Sequence, residues 1–383
     1  MSEEILPLSD PDISRHEMEM VEAALCSPRL GQGRLTEAFE AEFSTFVGRR
    51  YGVAVSSSTL ALMLVLCAWK TEAGAEIVCS PHSWHQIARG ISLAGAVPVF
   101  ADIDYWAGGI DPAKALEKIG ENTRAILACN ANGHPAAWNE LRELASGKGI
   151  HLIEDCSESI GSRYCGSQVG TFGDCSIFDF SQQSALCCGE GAMILTDDLD
   201  FARTLRHLRD RQIRDRHSIS ITSFLPFNAR ISELTAALGL AQLSRLEEIL
   251  EKRRQVAFWY ESEIKSFEGI KPPYLAPEAD RVNWFLYAVH LGTRFSLSSC
   301  RAIVEDLHTA GVEAEFYSQP LHLERYYIER GWRKGNCFVA EKVADRAIAL
   351  PFHTHLQQDE IQFIVKTAKD ASVNVGAGAA IYL

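Results

Sequence analysis

Apolar segments alternate with helical ones between residues 51 and 155, and this pattern constrains the fold more than any other feature of the chain. Residues 51–55, 76–80, 97–102, 124–130 and 151–154 read as strands. The stretches 60–69, 84–93, 113–119 and 139–146 between them carry apolar residues at helical spacing. Strands this apolar are buried on both faces, so the alternation predicts an α/β fold with a mainly parallel sheet between helices. Ligands of such sheets gather at the carboxyl ends of the strands. Ser56-Ser57-Ser58-Thr59, Pro81-His82-Ser83-Trp84 and Asp155 fall there. No GxGxxG follows a strand, which disfavours a dinucleotide fold.

A chain of 383 residues suggests two domains. The large one is expected over 1–250, with N-terminal helices at 15–27 and 34–48. A small α+β unit is expected over 251–383, joined by one long helix spanning 231–267. Its elements read as a strand at 284–291, a helix at 297–310, an extended segment at 313–317, and helices near 338–347 and 357–369. The Gly/Ala-rich tail, 375–383, reads as poorly ordered. The arginine-rich segment 203–216 reads as a solvated face, because acids interleave with its cations.

A formal net charge of −13 argues against nucleic acid or an anionic membrane as partner. The acidic N-terminus lacks the basic and apolar blocks of a secretory signal, and no apolar run is long enough to span a bilayer. Eleven cysteines without CxxC pairs fit reduced thiols in a cytoplasmic protein. Cys187-Cys188 reads as a pair of small buried turn residues, because no His or Cys stands at ligand spacing.

Taken together, several blocks resemble the DegT/DnrJ/EryC1/StrS family of nucleotide-sugar aminotransferases, over nearly the whole chain. They include Gly95-Ala96-Val97-Pro98-Val99-Phe100, Gly133-His134-Pro135, Asp155-Cys156-Ser157-Glu158 and Gly170-Thr171-Phe172-Gly173-Asp174. Further on come Gly189-Glu190-Gly191, Asn228-Ala229-Arg230-Ile231-Ser232-Glu233 and Leu350-Pro351-Phe352-His353. The resemblance implies a fold-type I pyridoxal phosphate (PLP) architecture, with a seven-stranded sheet, and a homodimer with shared sites. It assigns Asp155 to the ring nitrogen of the cofactor and Trp84 to stacking on the ring. Ser58 and Thr59 fall on the phosphate-cradling turn, and Asn228 on the asparagine that reaches the phosphate across the dimer.

Other positions depart from the family. Counting back from Gly189-Glu190-Gly191, the lysine that binds the cofactor covalently falls on Ser184. No lysine occurs between Lys148 and Lys252, so no small shift of register restores it. A serine hydroxyl forms no imine and is a poor base for moving a proton. The family's phosphate-binding serine is Asp179 here, and its Gln or His three residues after the ring-binding acid is Glu158. An ionised Asp179 beside a phosphate meets repulsion of about 4 kcal/mol per charge pair at an effective dielectric near 20.

Two classes of function stay open. One is an enzyme acting on a sugar-nucleotide-like molecule with Ser184, Glu158, Asp179, His82 and His85 in its pocket. Such an enzyme would hold PLP or pyridoxamine phosphate (PMP) only non-covalently, as a dehydratase or aminotransferase, or would use no cofactor. The other is a non-catalytic descendant that binds a ligand, regulates, or partners an active paralogue.

Overall fold

The computed structural model describes residues 5–210, 225–265 and 269–380; part of the arginine-rich segment, 211–216, lies outside them. Helices α1 (Arg15–Leu25) and α2 (Arg34–Val47) precede β1 (Tyr51–Val55). The expected alternation follows as α3 (Ser58–Ala68), β2 (Glu76–Cys79), α4 (His85–Leu93), β3 (Val97–Phe100), α5 (Pro112–Lys118), β4 (Thr123–Cys129), α6 (Trp138–Lys148) and β5 (His151–Asp155). A small hairpin, β6 (Arg163–Tyr164) and β7 (Ser167–Gln168), leads to β8 (Cys175–Asp179) and β9 (Ala192–Thr196). Helices α7 (Leu199–Arg209), α8 (Glu233–Ser244) and α9 (Leu246–Ile264) complete this half.

The seven strands lie in the order β1-β9-β8-β5-β4-β2-β3. Only β9 runs against its neighbours β1 and β8; the other pairings are parallel. The sheet is therefore mainly parallel, as its apolar strands require. A second, antiparallel sheet has the order β10-β11-β13-β12, from β10 (Ile270–Lys271), β11 (Tyr287–Leu291), β12 (Glu315–Phe316) and β13 (Ala347–Leu350). It is accompanied by α10 (Leu297–Thr309), α11 (Arg325–Ile328), α12 (Phe338–Ala344) and α13 (Gln358–Ala380), and has its own core around Tyr260, Tyr287, Val289 and Leu307.

Buried polar groups fix the strand ends. Glu154 is fully buried, and its carboxylate accepts from the amides of Gly170 (2.6 Å), Phe172 (2.8 Å) and Gly173 (3.4 Å) and from Asn130 Nδ2 (3.2 Å). Asn130 Oδ1 accepts in turn from the Ala136 amide and Trp138 Nε1. The ends of β4 and β5 and the 170–173 turn are thus one network. Where the 131–133 turn meets the lead-in to β11, Gly133 has φ +87°, and a Cβ there would sit 2.0 Å from the Asn283 carbonyl oxygen. Only glycine fits that approach.

Three expectations need correction. The single helix over 231–267 is two helices, broken at Arg245, whose guanidinium reaches back to Asp12 (2.8 Å) and Glu17 (2.7 Å). The strand expected from 284 begins at Tyr287, because the carbonyls of Trp284 and Phe285 are taken by Arg253 Nη2. Helix α13 continues through Ala380 into the tail expected to be unstructured; buried Ala371 and Ser372 anchor it, and its alanines favour helix.

Two stability outcomes are expected. Glu154→Ala leaves several buried amides without acceptors, at about 1–3 kcal/mol each, so urea denaturation should show a loss of at least about 3 kcal/mol. Burial alone would raise the Asp12 and Glu17 carboxyls. Bonds from Arg245, Thr354 and Lys252 to Asp12, and from Ser14 and Arg245 to Glu17, instead hold both at about 2. Their contribution is therefore complete above about pH 4.5 and lost as pH falls towards 2. Thermal melts of Arg245→Met should converge on those of the native protein across that interval.

Candidate functional site

Buried polar atoms without partners mark the site. Ser58 Oγ, His82 Nε2, Ser83 Oγ, Trp84 Nε1 and Asp155 Oδ2 have no hydrogen-bond partner among the described residues. All five lie on segments that follow β1 and β2 or end β5, at the carboxyl edge of the sheet. Buried polar groups are nearly always paired, so such a concentration points to a ligand-binding surface.

Asp155 is 2% exposed; its Oδ1 accepts from the Ser157 amide (2.9 Å) and its Oδ2 is bare. Burial, opposed by bonds from Ser157 and reinforced by the carboxylates of Glu158 and Asp179, pushes its pKa up to about 7. A bare, buried carboxyl oxygen of this kind fits a protonated ring nitrogen, and Trp84 stands half-buried at the start of α4, after β2. Glu158 Oε2 accepts from the Asn132 amide (2.6 Å) and from the Tyr317 hydroxyl (2.7 Å), and burial raises its pKa despite those bonds.

The phosphate end is mixed. Ser57 caps α3 by accepting from the Leu60 amide (3.3 Å), and the first amides of that helix form an anion site. Thr59 Oγ1, however, donates to the Gln86 carbonyl (2.7 Å). Asp179, 6% exposed at the end of β8, accepts from the Ser181 amide through Oδ1 (2.9 Å). Asn228 is exposed, and Arg230 pairs with Asp210 (3.1 Å).

Ser184 lies between β8 and β9. It is 7% exposed, its amide donates to the Ser181 carbonyl (3.0 Å), and it lines a cavity of ≈ 10 Å³ with Gln183, Arg253 and His353. That is room for one water. His85, expected in the pocket, faces Gln319 and Glu324 instead, at 3.0 and 3.2 Å. Cys187 and Cys188 are buried turn residues, and among the described residues no group of three or more His, Cys, Asp or Glu is arranged to hold a metal.

Inspection of the sequence missed Tyr317, Asn132, Arg253 and His353. Tyr317 arrives from the second sheet, 159 residues after Glu158. Arg253 is buried, has no carboxylate partner among the described residues, stacks on Phe352 (4.6 Å), and burial lowers it to about 10. Helical periodicity gave no reason to separate it from neighbouring cations.

The architecture is that of fold-type I PLP-dependent aminotransferases. Helicobacter pylori PseC, an aminotransferase of pseudaminic acid biosynthesis, superposes with TM-score 0.90 at 25% identity, covering 97% of this chain and 100% of that one. The chain belongs to the DegT/DnrJ/EryC1/StrS aminotransferase family, whose model matches residues 11–369. It is 31% identical to the erythromycin biosynthesis sensory transduction protein EryC1 of Saccharopolyspora erythraea (88% of this chain, 90% of that one). It is 30% identical to the GDP-perosamine synthase of Caulobacter vibrioides (87% and 89%).

Asp155 provides a direct test of the site's electrostatics. An acid whose folded pKa exceeds its ordinary 3.8 costs stability as pH rises from about 4 to 7. Asp155→Asn removes that cost, so its stability relative to the native protein should grow by a few kcal/mol across the interval. Chemical denaturation at pH 5 and pH 8 measures the difference.

Proposed function

We propose that this protein binds a sugar-nucleotide-like small molecule in an aminotransferase pocket that has given up lysine-dependent transamination. Ser184 carries the reading: it is buried in the turn before Gly189-Glu190-Gly191, and the chain has no lysine from 149 to 251. The names of relatives, GDP-perosamine synthase and dTDP-3-amino-3,4,6-trideoxy-alpha-D-glucose transaminase, support the substrate class. The family's dimer with shared sites, and a cytoplasmic location, belong to the same reading.

The residues present fit PLP or PMP at one end only. Asp155 would hold the ring nitrogen, Trp84 the ring face, and the Ser58 and Thr59 amides the phosphate. Bound there, the ring supplies an electron sink. No residue replaces the covalent hold, and Asp179 stands where the family places a phosphate donor. Any cofactor is therefore held non-covalently or has been lost. The carboxyl groups of Asp155 and Glu158 are the candidates for moving protons, because two acids in unlike environments divide acid and base roles. The commitment of the Thr59 hydroxyl to Gln86, together with Asp179, favours a second reading, a non-catalytic ligand-binding or partner subunit.

Visible spectra of the protein with added PLP, before and after borohydride, separate these readings. The expected result is a free-PLP-like band that dialyses away, or no band, which favours the second reading. A reducible band that maps to a lysine overturns the proposal. Ser184→Lys alone is expected to leave transamination undetectable, and its recovery would refute the role given to Asp179.

A further inference from the structure

We propose that Tyr317, delivered by the second sheet, is a positioning residue that holds Glu158 Oε2 and keeps its carboxylate available as the proton acceptor of the site. The inference rests on the reading of Glu158 as part of the ligand pocket, and it concerns a task for which Ser184 is unsuited.

The two bonds to Glu158 Oε2, from Tyr317 and the Asn132 amide, both come from donors. Donors favour the ionised carboxylate, whereas burial favours the protonated acid. Glu158 makes no ion pair among the described residues, so these donors are what keep it ionisable. The titratable groups around it offer no positive counter-charge. Asp155 comes from β5 and Cys129 from β4. His82 is 3% exposed and held well below neutrality, at about 4, by burial; His290 on β11 is lowered to about 4 in the same way.

Both donors are held in place by neighbouring residues. The Tyr317 ring packs edge-on against His82 with centroids 5.2 Å apart, and His82 Nδ1 lies 3.3 Å from the Gly108 carbonyl oxygen. The Asn132 amide is aimed by a left-handed backbone, φ +51°, which few non-glycine residues adopt. That turn is clamped by the lead-in to β11: Asn132 Oδ1 accepts from the Leu286 amide (2.9 Å) and its carbonyl from the Phe285 amide (3.3 Å). A strained turn held from the second sheet and a hydroxyl supplied by it converge on one oxygen. Strain of this kind persists where the surroundings enforce it, and it clusters at working sites.

Infrared titration of the protonated carboxyl band on ligand-free protein tests this, with Glu158→Gln assigning the band. Because no ligand is present, the result does not depend on whether PLP or a sugar nucleotide binds. Tyr317→Phe removes a donor to a charged acceptor, so the Glu158 midpoint should rise by about one pH unit. If Tyr317→Phe does not fold, replacing tyrosine by fluorotyrosine gives a stronger donor of nearly the same shape and should lower the midpoint. An unmoved midpoint in a folded Phe variant or in the fluorinated protein overturns the proposal.

Discussion

The carboxylate of Glu154 sits where water does not reach, and the geometry of the site depends on how it is satisfied. An isolated ionised carboxylate in such a place costs far more than a folded domain has to spare. Three amides of the 170–173 turn and the Asn130 side chain offset that cost. In doing so they pin β5 to β4 and to the turn that feeds β8. The next residue is Asp155, and its bare oxygen points where it does because its neighbour is locked. One acid is silenced by donors so that the adjacent one can be presented with one oxygen free of them.

On the proposed reading, the site keeps one half of an inherited chemistry and opposes the other. At the ring end, burial and the nearby carboxylates of Glu158 and Asp179 favour an Asp155 that shares a proton with a ligand. At the phosphate end, the α3 amides invite an anion while Asp179 stands where the family offers a hydroxyl. On the proposed reading, serine at position 184 would remove a covalent bond and Asp179 would remove an attraction, two separate physical effects that would both weaken the hold on a phosphorylated ring.

Much of the fold was legible because burial on both faces writes an apolar strand in plain form. The five strands from Tyr51 to Asp155 and the helices between them follow the hydrophobic pattern closely. The pattern was silent where tertiary contacts decide. Arg245 breaks a continuous helical periodicity by reaching Asp12 and Glu17, and Arg253 delays β11 by taking two carbonyls from its lead-in. Asp155, Trp84 and Ser58 stand out in the sequence because they follow strand ends, where position alone is informative. Tyr317 was not, since a tyrosine in a short extended segment looks like any other until the chain folds 159 residues back onto Glu158.

The contact at Gly133 bears on how such proteins are recombined. The 131–133 turn and residues 283–286 interlock so closely that Gly133 tolerates no added carbon atom. A chimera that joins this large sheet to the small sheet of a relative inherits two halves of a fitted seam from different parents. Swapping at the α8–α9 corner alone would separate them. A workable crossover carries the 131–133 turn together with everything from residue 283 onward, so the unit of exchange is discontinuous in sequence.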